Sequence, residues 1–314
     1  MHTSAPLVLL ALSASAVRAV TAGMSAFPVW ALACHDTSGL FTKHQILRRA
    51  PGDNDVLIDI HYNGICHSDV HQGRAEWPSR AIYPMVPGHE IVGIVESVGE
   101  KVSKFKVGDR VGVGCFVDSC RSCHSCRDGF EQYCFGEVES NDSEFGLSLK
   151  VCTHGTYNCC VGDEIAAAKG LPDNKLYGGY SQKITVDEGY IMRIPDSLEL
   201  SSAAPLLCAG ITMYSPLNFY GAKAGGSNFV TAIAGLGGLG AMGAKIAKAM
   251  GNDVYVLSMS ARKREYVEKE IGCKFIDWTD PAQRESVKRK FDLIICTASA
   301  DFGWSNIAAQ RVGC

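Results

Sequence analysis

Cys120, Cys123, Cys126 and Cys134 form a C-x2-C-x2-C-x7-C run, four thiols within fifteen residues. Short spacers let one loop wrap a single ion, and four thiolates complete the tetrahedral shell of a zinc site. Such a closed site lends metal-binding energy to a loop with little core of its own, and it leaves no position open for a substrate. Disulfides are the competing use of four cysteines. The apolar segments on either side describe a large globular protein rather than a small stapled one, which favours zinc. The lobe, residues 115–135, therefore orders chain and performs no chemistry.

A chain of 314 residues can bury a large core, and two domains are expected. The net charge of -3, spread along the chain, gives no footprint for nucleic acid. Fourteen cysteines, four of them with a metal explanation, argue for a reducing compartment and hence a cytoplasmic address. The first 23 residues run against this, with Arg18 as the one charged side chain before Cys34 and an apolar stretch from Pro6 to Val17. That stretch is short for a bilayer span, so no membrane partner is expected. Three readings stay open: a secretory signal without an early cation, an organelle transit peptide with a single arginine, or an upstream start before a mature chain beginning near Met24. Residues 1–23 are set apart from the fold.

From about Val29 the pattern is strand-like. Val56–Tyr62 follows the turn signal Pro51-Gly52-Asp53-Asn54, Ile91–Gly99 is a second run, and Arg110–Val113 a third. Short strands punctuated by glycine suggest a small barrel or sandwich. Cys66-His67-Ser68-Asp69-Val70-His71 follows the first strand, and Gly88-His89-Glu90 precedes the second. Cysteine and histidine are zinc ligands, and a catalytic zinc takes three protein ligands and keeps one position open. A lone cysteine or histidine is also an ordinary structural residue, and Cys208, inside the apolar Pro205–Gly210, reads by itself as a core cysteine. Residues 135–178 read as a long surface excursion, with Cys159 and Cys160 as unpaired thiols.

After Ile194-Pro195 the period changes. Ser201–Tyr214 reads as a helix, and Asn228–Ala234 as a buried strand. Directly behind stands Gly235-Leu236-Gly237-Gly238-Leu239-Gly240, then the small-residue helix Ala241–Met250 and a further strand, Val254–Leu257. A G-x-G-x-x-G between strand and helix in a βαβ unit is a dinucleotide cradle. Its first glycine allows the tight turn, the second lets backbone approach a pyrophosphate, and the third lets helix and strand pack closely. At the end of the second strand, where an acidic residue usually receives the ribose of NAD, this chain has Ser258, Ser260, Arg262 and Lys263. Hydroxyls and cations suit the 2′-phosphate of NADP(H), although a solvated basic helix start has the same composition.

Together these segments resemble the zinc-dependent medium-chain alcohol dehydrogenases, most closely the cinnamyl alcohol dehydrogenase branch and its NADPH-dependent aldehyde reductase relatives. The resemblance rests on Gly64–Asp69, Val86–Glu90, the four-cysteine lobe, Leu206–Thr212 and Gly235–Gly240, and it runs from about Met24 to about Ala300. It implies an α/β chain with a GroES-like β-rich catalytic domain (24–198) and a Rossmann NADP-binding domain (199–314). It implies two zinc ions per chain, the catalytic one on Cys66, His89 and Cys208 with Glu90 as an alternate or neighbouring ligand. Asp69 would fix the tautomer of His89, and Ser68 would be the relay hydroxyl. His71 is a candidate next proton carrier or a plain surface histidine. Glu76 stands at an acidic relay position, and Trp77 lines the substrate pocket or packs in the core. The implied reaction is hydride transfer between NADP(H) and an aldehyde or primary alcohol, with the carbonyl oxygen polarised by zinc.

The family pattern continues beyond Phe291–Thr297, the fourth strand of the nucleotide-binding sheet, whereas Asp301–Cys314 does not resemble that continuation. An incomplete Rossmann domain without the family's homodimer edge is the expectation. Two function classes follow: an NADP(H)-dependent oxidoreductase (with an NAD-linked alcohol dehydrogenase as its variant), and a non-catalytic remnant that still binds zinc and cofactor.

Overall fold

In the computed structural model, residues 25–76, 82–134, 159–160, 172–173 and 175–299 are described, with 159–160 described in backbone only. The chain divides into two units after Leu207, whereas the sequence pattern puts the division between 198 and 199.

The first unit is β-rich. Strands β1 (Phe27–Cys34) and β2 (Phe41–Arg48) form an antiparallel hairpin. Strand β3 (Asp55–Asn63) ends just before helix α1 (His67–Gly73), and β4 (Ile91–Val98) and β5 (Arg110–Val113) follow. After the short helix α2 (His124–Arg127), β6 (Cys159–Cys160) pairs antiparallel with β7 (Lys175–Leu176); the rest of the expected excursion, 135–158, 161–171 and 174, lies outside the described residues. With β8 (Lys183–Asp187) and β9 (Met192–Arg193), the main sheet runs β8-β3-β4-β5-β9, all antiparallel. Val56, Ile58, Ile91, Val95, Val111, Val113, Ile184 and Val186 fill one core. These β-branched residues pack well on a pleated surface, which is why these runs pair as a sheet.

Two features of this sheet position chemistry. The β3–β4 register slips between Ile60 and Tyr62, and Gly93 sits opposite, where a Cβ would lie 2.0 Å from the Asp59 carbonyl oxygen. A bulge of this kind bends a strand and re-aims the residues beyond it. Asn63 pairs with Ile91, so the residues just after β3 lie beside those just before β4. The second feature is Arg48, buried, whose guanidinium donates to the carbonyls of Tyr177, Gly178 and Lys183 and to the Ser181 hydroxyl at 2.7–2.8 Å. Burial pulls Arg48 down to about 9, so it is still charged at neutral pH and its bonds are charge-assisted.

The expected helix Ser201–Tyr214 is interrupted. Helix α3 (Leu200–Ala203) tightens into a 3-10 turn (Ala204–Leu207), and α4 (Ala209–Phe219) begins only after Cys208. Pro205 offers no amide to a helix ladder. Leu207 is pinned over β5, where a Cβ on Gly112 would meet its side chain at 3.0 Å.

The second unit is a parallel sheet. Strands β10 (Val230–Ala234), β11 (Asp253–Ser258), β12 (Lys274–Asp277) and β13 (Leu293–Cys296) lie in the order β12-β11-β10-β13. Helix α5 (Gly238–Ala249) links β10 to β11, three residues earlier than the expected start at Ala241 because the glycine loop itself enters the helix. Helix α6 (Pro281–Ser286) precedes β13, with Asp280 capping it by accepting from the Ala282 amide at 2.8 Å. Apolar clusters cover both faces of the sheet, one around Val254, Val256 and Phe275 and one around Tyr255, Leu257 and Phe291. The strand order reverses between β10 and β13, the switch point where such sheets bind ligands.

Candidate metal centres and cofactor cradle

The four cysteines of the lobe converge, with their sulfurs within 4.8 Å of one another. Cys120 and Cys126 sulfurs lie 3.8 Å apart, and Cys123 and Cys126 sulfurs 3.5 Å. A disulfide needs about 2.05 Å. Zinc–thiolate bonds of about 2.3 Å in a tetrahedron put sulfurs about 3.8 Å apart, so the donor set fits zinc. Backbone amides support the thiolates: Cys123 donates to Cys120 Sγ and Cys120 donates to Cys134 Sγ, each at 3.3 Å. Burial opposes ionisation of Cys120, but hydrogen bonds from the Ser122 hydroxyl and the Cys123 and Ser122 amides outweigh it and bring the thiol to about 6.

A second group joins Cys66, His89, Glu90 and Cys208, whose ligand atoms also lie within 4.8 Å of one another. The β3–β4 pairing explains the first three, since Cys66 follows one strand and His89-Glu90 precede the other. Gly64 has to be glycine here: its amide donates to the Glu90 carbonyl at 2.9 Å, and a Cβ would lie 1.8 Å from Glu90 Oε2. Cys208 is the residue at the helix break, directly bonded to the pinned Leu207. Two thiols, a buried imidazole and a buried carboxylate form a donor set that suits zinc.

Asp69, 1% exposed, ties this group together. Its Oδ2 accepts from the Cys66 amide at 2.9 Å, and its Oδ1 accepts from the Gly88 amide at 3.0 Å and lies 3.2 Å from His89 Nδ1. The expected Asp69–His89 contact is therefore present, and it makes Nε2 the ring atom for a metal. The sequence did not point to Tyr180, whose hydroxyl donates to Asp69 Oδ2 at 3.2 Å. Its signal was the Gly178-Gly179 pair before it. A Cβ on Gly179 would lie 2.2 Å from Asn63 Oδ1, and one on Gly88 would lie 2.7 Å from the Tyr180 nitrogen.

Ser68 Oγ lies 3.5 Å from Cys66 Sγ, at the edge of the group. His71 Nδ1 lies 2.7 Å from Glu76 Oε2, and its ring meets that of His67 edge-on at 4.5 Å. Trp77 lies outside the described residues, as do 1–24 and 300–314.

In the second unit, Gly235 adopts φ +96°, a conformation that favours glycine. A Cβ on Gly240 would lie 2.2 Å from the Gly235 carbonyl oxygen, while Gly237 and Gly238 face open space. That is a backbone cradle with room for a phosphate at the start of α5. Thr297 secures it, its hydroxyl 3.2 Å from the carbonyl oxygens of both Ala234 and Gly235. Leu236 contributes its carbonyl, which accepts from Lys263 Nζ at 2.6 Å, and Leu239 packs against the core. Ser258 is buried at the end of β11 and accepts from the Ser260 amide at 3.2 Å, with Arg262 exposed beyond it.

A zinc-ligand β-unit followed by a doubly wound dinucleotide-binding unit is the architecture of a zinc-containing dehydrogenase. Residues 52–196 match the family model "Alcohol dehydrogenase GroES-like domain". The chain is 49% identical over 262 residues to NADP-dependent alcohol dehydrogenase C 1 of Mycolicibacterium smegmatis, covering 83% of this chain and 67% of that protein. It is 43% identical to cinnamyl alcohol dehydrogenase 8 of Arabidopsis thaliana, covering 86% of this chain and 67% of that one. Among solved structures, a cinnamyl alcohol dehydrogenase of Sorghum bicolor superposes with TM-score 0.77 at 39% identity, over 91% of this chain and 74% of its own. That of Helicobacter pylori complexed with NADP(H) gives 0.71 at 39%, over 87% and 70%. The chain belongs to the zinc-dependent medium-chain alcohol dehydrogenases, in the cinnamyl alcohol dehydrogenase branch, oxidoreductases with zinc and NADP(H) as cofactors.

Proposed function

We propose that this chain interconverts an aldehyde and a primary alcohol with NADP(H), using Cys66, His89 and Cys208 as ligands of a catalytic zinc and Cys120, Cys123, Cys126 and Cys134 as ligands of a structural one. The observation that carries the reading is the convergence of Cys66, His89, Glu90 and Cys208 with Asp69 behind the imidazole. When bound, the zinc supplies Lewis acidity to the substrate oxygen and NADPH supplies the hydride. Ser68, beside Cys66, holds the proton that the product oxygen takes up, and the His71–Glu76 pair on the same helix and its following turn supplies a partly exposed route to solvent. Glu90, buried behind Gly64, is the alternate ligand.

Gly235, Gly237, Gly238 and Gly240, with the amides of Leu236 and Leu239, bind the cofactor's pyrophosphate. Ser258, Ser260, Arg262 and Lys263 are assigned to its 2′-phosphate, the stretch 258–263 carrying no carboxylate of its own. Among the described residues no helix is long and apolar enough to cross a membrane. A reducing compartment, the cytoplasm, suits the ten free cysteines among the described residues.

The test is NADPH oxidation by the purified full chain with an aromatic and an aliphatic aldehyde, before and after a zinc chelator. Turnover that the chelator abolishes supports the reading; a folded, zinc-loaded chain without turnover refutes it. Ser258→Asp addresses the cofactor. Two unit charges about 4 Å apart at an effective dielectric of about 20 repel by about 4 kcal/mol. Preference for NADPH over NADH should therefore fall at least 100-fold, and an unchanged ratio would remove Ser258 from the 2′-phosphate site.

A further inference from the structure

We propose that Tyr180 is a positioning residue of the catalytic zinc site, its hydroxyl fixing the carboxylate of Asp69 that in turn orients His89. This rests on the assignment of Cys66, His89 and Cys208 as zinc ligands.

A buried carboxylate is tolerated only when its lone pairs are occupied. Asp69 has four contacts of this kind, two on each oxygen: Gly88 N–H and His89 Nδ1 on Oδ1, Cys66 N–H and Tyr180 O–H on Oδ2. Three of them come from the ligand-bearing segments themselves, so they move with the residues that Asp69 is meant to hold. Tyr180 comes from a separate stretch of the first unit, and its backbone ties the 86–88 segment to Leu32 of β1.

The hydroxyl is held on a rigid support. The Tyr180 amide donates to the Pro87 carbonyl at 2.9 Å, and its own carbonyl accepts from the Leu32 amide at 2.8 Å. Its ring meets Phe41 edge-on at 5.7 Å. Gly88, at φ +110°, brings backbone against it. Arg48 grips the carbonyls on either side, at Tyr177, Gly178 and Lys183, which gives this buried cation a purpose. Remove the O–H and Oδ2 keeps one donor, the Cys66 amide. The carboxylate can then turn about its Cβ–Cγ bond, and Nδ1 of His89 loses its fixed acceptor. Loss of a direct partner of a ligating histidine weakens metal binding about 10–100-fold. Tyr180 acts one bond further out, so about 3–10-fold is expected.

The experiment uses the zinc-loaded full chain and competition with a chromophoric chelator. The wild type should release two zinc ions, and Cys66→Ser should lack one of them. Tyr180→Phe keeps the ring and its packing. It should hold the catalytic zinc about 3–10-fold more weakly, lower kcat similarly, and leave the structural zinc and the KM for NADPH unchanged. Zinc affinity within twofold of wild type in Tyr180→Phe overturns the inference. So does weakening in Tyr180→Leu without weakening in Tyr180→Phe, which assigns the effect to the ring. A wild type with one zinc, unaltered by Cys66→Ser, overturns the ligand assignment and this inference with it, before any Tyr180 variant is compared.

Discussion

Asp69→Asn removes a charge and one acceptor oxygen while keeping size and shape, so its cost can be worked from four contacts. Suppose the new NH2 replaces Oδ1. It then faces the Gly88 amide and His89 Nδ1, and the imidazole can accept only by moving its proton to Nε2, the atom required for zinc. Suppose instead that it replaces Oδ2. The Tyr180 hydroxyl can turn and accept, but the Cys66 amide, a donor only, then faces another donor and loses this bond. The second arrangement costs less. It takes from the part-buried Cys66 amide its bond to a charged acceptor, about 1–3 kcal/mol, and removes charge assistance from the bonds that remain. A share of this falls on the ligand set, matching the 10–100-fold loss in metal affinity usual for such partners, about 1.4–2.8 kcal/mol. The assay is chelator competition on the full chain, with urea unfolding of the zinc-loaded and metal-free forms alongside. The variant should lose affinity at one of two zinc sites, and the stability gap should be wider with metal than without. Two zincs bound as tightly as in the wild type would refute the view that Asp69 organises this site.

Other perturbations test other parts. Gly240→Ala places a Cβ 2.2 Å from a backbone oxygen that cannot give way, so NADPH affinity should fall about 10–100-fold (about 1–3 kcal/mol of overpacking) with zinc content unchanged; fluorescence titration decides, and wild-type affinity would mean the loop is not the cradle. Asp109 gives a pH signature. Burial works against its ionisation, but the Lys106 side chain and amide and the Arg193 guanidinium outweigh this and hold the carboxyl below its usual range. Its contribution is therefore complete above the unfolded value of about 3.9 and disappears as pH falls through the lower folded value. Asp109→Asn should cost about 1–3 kcal/mol at pH 7 in urea unfolding, with the gap to wild type closing in acid; a gap independent of pH would show that the charge is not what matters.

What could be read from the sequence was local. The cysteine lobe is legible because its four ligands fall between 120 and 134 and a loop alone can gather them. The glycine loop is legible because strand, loop and helix are contiguous. Cys66 and His89 were candidates by residue type and became ligands only through the family resemblance; the antiparallel pairing of β3 and β4 explains why they meet. Cys208 was assigned through the resemblance alone, since its own neighbourhood reads as core: the apolar run around it continues a helical period, and the break appears only when Leu207 packs over Gly112. Tyr180 was hidden, because its partner Asp69 is 111 residues away and no local pattern encodes that distance.

The glycines around the site carry the deeper constraint. Gly64 makes room for the Glu90 carboxylate, and Gly88 and Gly179 admit the backbone that brings Tyr180 to Asp69. None of them donates a side chain to chemistry, yet each sets how closely two separately encoded segments can approach. Metal ligation needs donor atoms placed within a few tenths of an ångström, and β-strands alone do not supply that tolerance. The glycines let the segments touch, and the four contacts to Asp69 then select one arrangement among those that contact allows. A replacement that adds volume at Gly64 and one that removes an acceptor at Asp69 should therefore disturb the same zinc by different routes, the first by separating the segments and the second by releasing the ring.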